Sequence, residues 1–365
     1  MTPGPAATRG FVVSLASPSK APCGVEMFAR GLARAAGEVG LDSRLVAVAG
    51  RWGDGPALWR ALAGADALVV NLPVVAWKKA LLTPLLALTI ARLRGARTIV
   101  VVHEWADLHP LRRAFISAYL LLAQVVLFSS PTVRDEFLSG PLGRLPFALG
   151  LAPIPPNIAP LKTRLRSPAV DRLEAERAKG RLVLGHFGSI YPKKQSTFVL
   201  DVARALQAMN RSVFVVFIGG FVKAKDDVET RFFARAGELG LEASIMVSGY
   251  VESDAEIFAL FDAVDVFVYS FAEGLTSRRG SVLTCLESGR PVIVNAAKSQ
   301  SEFDHHPVFR GLIAQGALQV VPTNAAPADF ARAIEAIGAD RRAVAPEIFA
   351  PAWRDAATAL RAALK

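Results

Sequence analysis

Residues 273–294 read EGLTSRRGSVLTCLESGRPVIV, and this stretch decides how the chain is read. The apolar run Ala263–Tyr269 (AVDVFVY) ahead of it has the length and composition of a buried strand. Next come a Gly, two hydroxyls, two adjacent arginines and a Gly-Ser pair, after which Val282, Leu283 and Leu286 share one helical face. A new strand begins after Gly289-Arg290-Pro291. Arg278, Arg279, Gly280 and Ser281 therefore lie in a loop that enters a helix. Unpaired N–H groups and the helix dipole favour an anion there. Two guanidinium forks add donors that match phosphate oxygens. The expectation is a phosphate site without a Walker loop, for a phosphorylated or nucleotide-bearing ligand.

The same strand–helix alternation extends in both directions. Toward the N-terminus, strands are expected at 11–15, 43–48, 67–71, 98–102 and 125–128, with helices starting near Gly24, Pro56, Val75 and Pro110. The segment 151–170 (LAPIPPNIAPLKTRLRSPAV) breaks the pattern and reads as a connection between domains. Beyond it, strands are expected at 182–187, 212–218, 244–247, 264–269, 291–295 and 318–321, with helices starting near Lys193, Asp226, Asp254 and Gly280. A last amphipathic helix covers 351–364. Such alternation predicts an α/β protein of two Rossmann-like doubly wound domains facing across a cleft. Ligands of such sheets bind beyond the carboxyl ends of the strands.

The chain has 365 residues, 52% hydrophobic and 20% charged, enough for two folded domains and too apolar for a disordered chain. The net charge of +10 favours anionic partners. Cys23 and Cys285 lie too far apart in sequence to suggest a disulfide framework, and MTPGPAATRG lacks the apolar core of a secretory signal, so a cytoplasmic location is expected. The uncharged stretch 114–133 is long enough to span a bilayer, but it divides into a helix over 111–123, expected to be buried, and a strand over 125–128. Residues 77–94 (WKKALLTPLLALTIARLR) have an apolar middle and basic ends, suiting either a core-facing helix or one lying on an anionic membrane surface.

Four further loops follow strands. LASPSKAPCGVEMF places Gly24 and Glu26 at a helix start. His103 stands at the end of the strand 98–102, where an imidazole can meet a sugar hydroxyl or a leaving oxygen. GSIYPKKQ carries Ser189 and Lys194 toward a helix. Gly249-Tyr250-Val251 has backbone groups for a base edge and a ring that can stack. His305-His306 lack a further ligand at metal spacing, so no metal is expected. No aromatic-interleaved basic stripe points to nucleic acid.

In this order the loops resemble those of family 4-like glycosyltransferases of the GT-B fold (glycosyl transferases group 1), over nearly the whole chain. Cys23-Gly24-Val25-Glu26 resembles that family's Gly-Gly-x-Glu turn, and His103 matches its donor-sugar histidine. Lys194 matches the lysine of its Gly-Arg-x-x-x-x-Lys-Gly loop, with Ser189 in place of the Arg. Tyr250 and Val251 fall on the segment lining the nucleobase pocket. The last helix, with Trp353, resembles the one that returns to the first domain. The family's paired glutamates, eight positions apart, fall on Thr276 and Thr284, a degenerate motif. Arg278, Arg279, Gly280 and Ser281 fall where the family's backbone amides hold the donor diphosphate.

The resemblance implies a retaining, metal-independent transfer of a sugar from a nucleotide-sugar donor to a glycan or lipid-linked acceptor, with no cofactor beyond the donor. His103 and Glu273 would orient the sugar, and Thr284 would meet the nucleoside. Residues 1–160 would form the acceptor-side domain and 161–350 the nucleotide-sugar domain, with 351–365 returning to the first. The alternatives are a nucleotide-sugar epimerase on the same plan and a non-catalytic nucleotide-sugar-binding subunit.

Overall fold

The computed structural model describes residues 10–18, 23–49, 51–77, 82–191, 195–222, 227–337 and 344–365. The chain forms two compact units, Met1–Pro155 with Ala350–Lys365, and Pro156–Phe349.

The first unit is built on six parallel strands in the order β2-β1-β3-β4-β5-β6: β1 Gly10–Ala16, β2 Leu41–Ala47, β3 Ala67–Leu72, β4 Arg97–Val102, β5 Val125–Phe128 and β6 Ala148–Leu151. Helices α1 Gly24–Ala35, α2 Gly55–Ala61, α3 Leu82–Leu93, α4 Pro110–Leu120 and α5 Pro131–Leu138 fall between successive strands. Residue alternation sorts the core into two layers. Val13, Leu15, Leu68, Val70, Val100 and Val102 point toward α2–α5. Val12, Val69, Ile99 and Val101 point the other way, onto Phe28 and Leu32 of α1. β3 is buried along its whole length, as a strand covered on both faces must be. The edge strand β2 instead exposes Asp42 and Arg44, charges that discourage pairing with another chain.

The second unit repeats the plan with β7 Leu182–Phe187, β8 Val213–Ile218, β9 Ile245–Val247, β10 Val266–Tyr269, β11 Val292–Asn295 and β12 Leu318–Val321, parallel in the order β12-β11-β10-β7-β8-β9. Its helices are α6 Pro168–Ala178, α7 Phe198–Ala208, α8 Val228–Glu238, α9 Asp254–Asp262, α10 Gly280–Glu287, α11 Pro307–Ala314 and α12 Pro327–Ile337. The strand order reverses between β7 and β10, so this sheet has its topological switch point there. The last helix, α13 Ala352–Ala362, belongs to the first unit, where Ala356, Ala357 and Leu360 join the α1 side of the core. Gly31 makes room for it: a Cβ there would fall 2.0 Å from the Trp353 ring.

The two doubly wound sheets agree with the expected fold class. Several elements correct the sequence reading. β6 and α5, α6, α11 and α12 are additional, and α6 occupies the end of the expected connection. Val75 opens only a short 3-10 turn, Val75–Trp77, with α3 beginning at Leu82. Helix starts near Lys193 and Asp226 lie outside the described residues. The helix expected to be buried over 111–123 ends at Leu120, and Leu111 and Phe115 are exposed on it. The apolar middle of residues 77–94 faces the core through Ala87, Leu88, Ile90 and Ala91.

Candidate functional site

The loop between β10 and α10 leaves the sheet at the switch point and is tied down on three sides. Asn295, at the end of β11, accepts a hydrogen bond from Phe271 N–H at 2.9 Å. Its amide donates back to Phe271 O at 2.7 Å and on to Thr323 O at 3.1 Å. Gly274 then turns with φ +77°, so close to β11 that a Cβ would lie 2.2 Å from Ala296 O; only glycine fits. Further on, Ser277 donates from its N–H (2.8 Å) and hydroxyl (2.9 Å) to the buried Glu302 carboxylate. On the third side, Ser270 Oγ donates to Gln195 Oε1 at 2.8 Å, linking this loop to the one that follows β7.

Within that frame the two arginines converge on one carboxylate. Arg278 Nη2 donates to Glu273 Oε1 at 3.0 Å, and Arg279 Nη2 donates to the same oxygen. The Arg279 guanidinium also lies 4.1 Å over the Phe271 ring, a cation–π contact that fixes its plane. Burial would raise the Glu273 carboxyl, but the Arg279 charge and then Arg278 outweigh it and hold Glu273 below its ordinary value. Burial, and next the like charge of Arg278, pull Arg279 down. The cluster carries two positive charges and one negative, at the start of α10. An anion with more charge than a carboxylate can compete for those forks.

Gly280 and Ser281 form the first turn of α10 and are buried. Thr284, fully buried one turn later, accepts from Asn157 N–H at 2.8 Å and donates to Gly280 O at 2.9 Å. Its hydroxyl braces the helix start. Thr276 is 2% exposed, and its hydroxyl makes no hydrogen bond. Ser189 is exposed after Gly188, while Lys194 lies outside the described residues. Tyr250 is exposed and Val251 half-buried, after Gly249 at φ +72°.

The remaining expected residues belong to the first unit. His103 Nε2 lies 3.0 Å from Asn71 Oδ1, joining the ends of β4 and β3, and Phe28 meets the His103 ring edge-on at 5.0 Å. Glu26 is buried and accepts from the Ser17 N–H and hydroxyl and from Cys23 N–H. It closes the β1–α1 turn as a capping carboxylate, and Gly24 opens α1 beside it. Of the residues that fix the β10–α10 loop, Phe271, Asn295 and Glu302 were missed. Nothing near Glu302 in sequence links it to Ser277. The position of Asn295 at a strand end was a readable clue to a loop contact. His306 is spent on capping α11, accepting from Phe309 N–H at 3.4 Å. Among the described residues no group of three or more His, Cys, Asp or Glu side chains could hold a metal ion.

Residues 171–343, within the second unit, match the family model of glycosyl transferases group 1. No curated protein matches the chain. Among solved structures, Anabaena HepE in complex with UDP and glucose is similar at 14% identity, with 96% of this chain and 94% of that chain covered and a TM-score of 0.62. A glycosyltransferase from Rickettsia africae is similar at 11% identity, with 98% and 96% covered and a TM-score of 0.59. Sucrose-phosphate synthase from Thermosynechococcus elongatus is similar at 16% identity, with 98% and 95% covered and a TM-score of 0.56. These likenesses identify the architecture as the two-domain Rossmann-like GT-B fold.

Proposed function

We propose that this chain, whose residues 171–343 form a group 1 glycosyl transferase domain, moves a sugar from a nucleotide-sugar donor to a glycan or lipid-linked acceptor, with retention and without a metal. The observation that carries the reading is the Glu273–Arg278–Arg279 cluster at the switch-point end of β10. In transfer, the bond between the anomeric carbon and the diphosphate breaks and the nucleoside diphosphate leaves with the electron pair. An acceptor hydroxyl oxygen takes its place, and its proton passes to the departing phosphate. The negative charge that grows on the leaving group is what a pre-set cationic loop stabilises.

In this reading Arg278 and Arg279 exchange Glu273 for the donor diphosphate, and the Gly280 and Ser281 amides face it with the helix dipole. Lys194 adds a point charge and Ser189 a hydroxyl. Tyr250 and Val251 take the nucleobase, and Thr284 acts on the nucleoside side by holding the helix start that faces it. Glu273, once displaced, and His103 orient the sugar, with Gly24 and Glu26 shaping the first unit's loop. The sugar nucleotide is a substrate, and no resident cofactor is needed. Residues 1–160 serve the acceptor, 161–350 the donor, and 351–365 stay with the former. HepE is a complex with UDP and glucose, so uridine nucleotides are the first donors to try. No helix among the described residues is long and apolar enough to cross a membrane; a lipid-linked acceptor would be met from a peripheral position on the cytoplasmic face.

The test is Arg279→Ala, assayed for UDP binding and donor hydrolysis. Charge-assisted hydrogen bonds contribute about 1.5–3 kcal/mol each, so affinity should fall tenfold or more, by about one to two decades. Unchanged affinity and rate reject the phosphate assignment.

A further inference from the structure

The second sheet forks at its switch point. Backbone pairing of β10 with β7 stops at Phe267 and Gly185, while β7 stays paired with β8 to Phe187–Ile218 and β10 with β11 to Tyr269–Val294. The last two residues of each strand thus part from each other, although each strand remains held on its outer side. Peptide groups that face such a gap need other partners. Two fully buried side chains supply them, one from each prong. His186 of β7 donates from Nδ1 to Val268 O at 3.1 Å. Tyr269 of β10 donates its hydroxyl to Phe187 O at 2.9 Å and accepts from Phe187 N–H at 3.2 Å. The two rings lie 4.7 Å apart and fill the fork.

The phenol reaches beyond the fork. Burial, and next Cys285, hold it well above its ordinary pKa, so its single proton stays in place. That proton is spent on Phe187 O, and the Cys285 thiol in the second turn of α10 lies 3.4 Å from the same phenol oxygen. The ring itself stacks on Phe271, with centroids 5.7 Å apart and planes within 16°. Phe271 in turn carries the Arg279 guanidinium 4.1 Å over its ring. One side chain therefore touches the end of β7, helix α10 and the ring that seats Arg279.

These contacts join two loops that come from different strands. Phe187 leads directly into Gly188 and Ser189, and Arg279 leads into the first turn of α10. Ser270 and Gln195, joined at 2.8 Å, close the fork again beyond the phenol. With its hydroxyl committed to protein partners, Tyr269 acts through the loops it spaces.

We propose that Tyr269 is a positioning residue of the donor site: wedged with His186 between β7 and β10, it holds the Ser189 loop and the arginine loop at the separation at which one diphosphate meets both. This rests on the donor reading and extends it to the spacing of the two loops.

The experiment is isothermal titration of UDP into the wild type and Tyr269→Phe, repeated with inorganic phosphate as competitor. Tyr269→Phe keeps the ring on Phe271 and removes only the ties made by the hydroxyl. UDP, which spans both loops, should bind about tenfold more weakly, the loss of one charge-assisted hydrogen bond. Inorganic phosphate, held by the arginine forks alone, should bind the variant as it binds the wild type. A general loosening of the unit does not give this split, because it weakens both anions together. His186→Leu breaks the other tie of the fork and spares the phenol. It should produce the same split, and it decides the matter if Tyr269→Phe does not fold. Variants that bind UDP as the wild type does overturn the proposal, as do variants that lose UDP and phosphate in equal proportion. A wild type that binds no UDP, or in which phosphate does not compete, removes the donor reading and this inference with it. UDP binding that is lost in Arg279→Ala and intact in Tyr269→Phe removes this inference alone.

Discussion

Replacing Glu273 by Gln separates two roles that the proposed function gives to one carboxylate. In the present structure it holds both arginine forks, with Arg278 at 3.0 Å and Arg279 on the same oxygen. A diphosphate entering the loop must break that pair. The side chains of Arg278, Arg279 and Glu273 are 12%, 13% and 28% exposed, between a surface and a buried pair. Surface pairs contribute about 0.2–1 kcal/mol, and breaking a buried one costs about 3–5 kcal/mol. An intermediate cost of about 1–2 kcal/mol corresponds to about 5- to 30-fold in affinity. Glu273→Gln should therefore bind UDP about 5- to 30-fold more tightly than the wild type. For a UDP-sugar the gain should shrink, because the Gln carbonyl accepts from a sugar hydroxyl without the charge that makes a hydrogen bond to a carboxylate worth about 1.5–3 kcal/mol. Turnover should fall with it.

Isothermal titration of both ligands against both proteins reads the two effects, in buffer without phosphate or sulfate, which compete for the same forks. The apo variant should melt slightly lower, since its two guanidiniums lose their counter-charge. Equal or weaker UDP binding by Glu273→Gln refutes the exchange. An equal gain for UDP and UDP-sugar refutes the second role and leaves Glu273 as a placeholder alone.

Two more substitutions probe the surroundings of this loop. Burial pushes the Glu287 carboxyl from 4.5 up to about 7, and one of its oxygens makes no hydrogen bond. Between those values the folded protein keeps a proton that the unfolded chain has released, so stability declines as pH rises through the window and the full penalty holds above it. Glu287→Gln should match the wild type near pH 4.5 and be more stable above about pH 7, by about 1–3 kcal/mol in urea unfolding; a difference independent of pH contradicts this. Gly274→Ala puts a Cβ against Ala296 O at a positive φ. It should cost about 1–3 kcal/mol of stability and weaken UDP binding, because the loop must leave β11. A variant with wild-type UDP affinity would show that the arginines do not depend on this turn.

Much of the fold was legible because strands buried on both faces must be apolar along their length. β5 and β7 were read to the residue, as was the edge strand β12, and the other interior strands to within two. β6 escaped because Ala148 and Leu149 at that edge are exposed, leaving no core pattern. α5 and α6 escaped although Ser-Pro at their starts is a cap signature, with Ser130 and Ser167 each accepting a helical N–H. In the site, the arginines and the helix start could be read locally, since they lie within a few residues. Their pairing with Glu273 could not, because it depends on the turn at Gly274 folding the chain back. The support from Glu302 and Asn295 comes from the loop after β11 and from its end, where adjacency is a property of the sheet. The exposure of Leu111 and Phe115 on α4 was hidden for a similar reason. Leu111 and Phe115 read as core until Arg112 and Arg113 are seen to occupy the inward side.

The charge of unit 2 sets what its β10–α10 loop has to supply. Unit 2 is nearly neutral, with 23 basic against 22 acidic residues, so no long-range field of its own draws a nucleotide in. Charges further away than about 8 Å are largely screened at physiological salt. If the proposed function holds, the preference for a diphosphate must then be made within the loop itself, by two guanidiniums held in the frame that Phe271, Ser277 and Glu302 fix. This is why a carboxylate belongs in the cluster. Two arginines buried side by side without one would repel each other, and Arg279 already feels Arg278. Glu273 lets the two guanidiniums lie side by side, and in the proposed function it yields to an anion of higher charge.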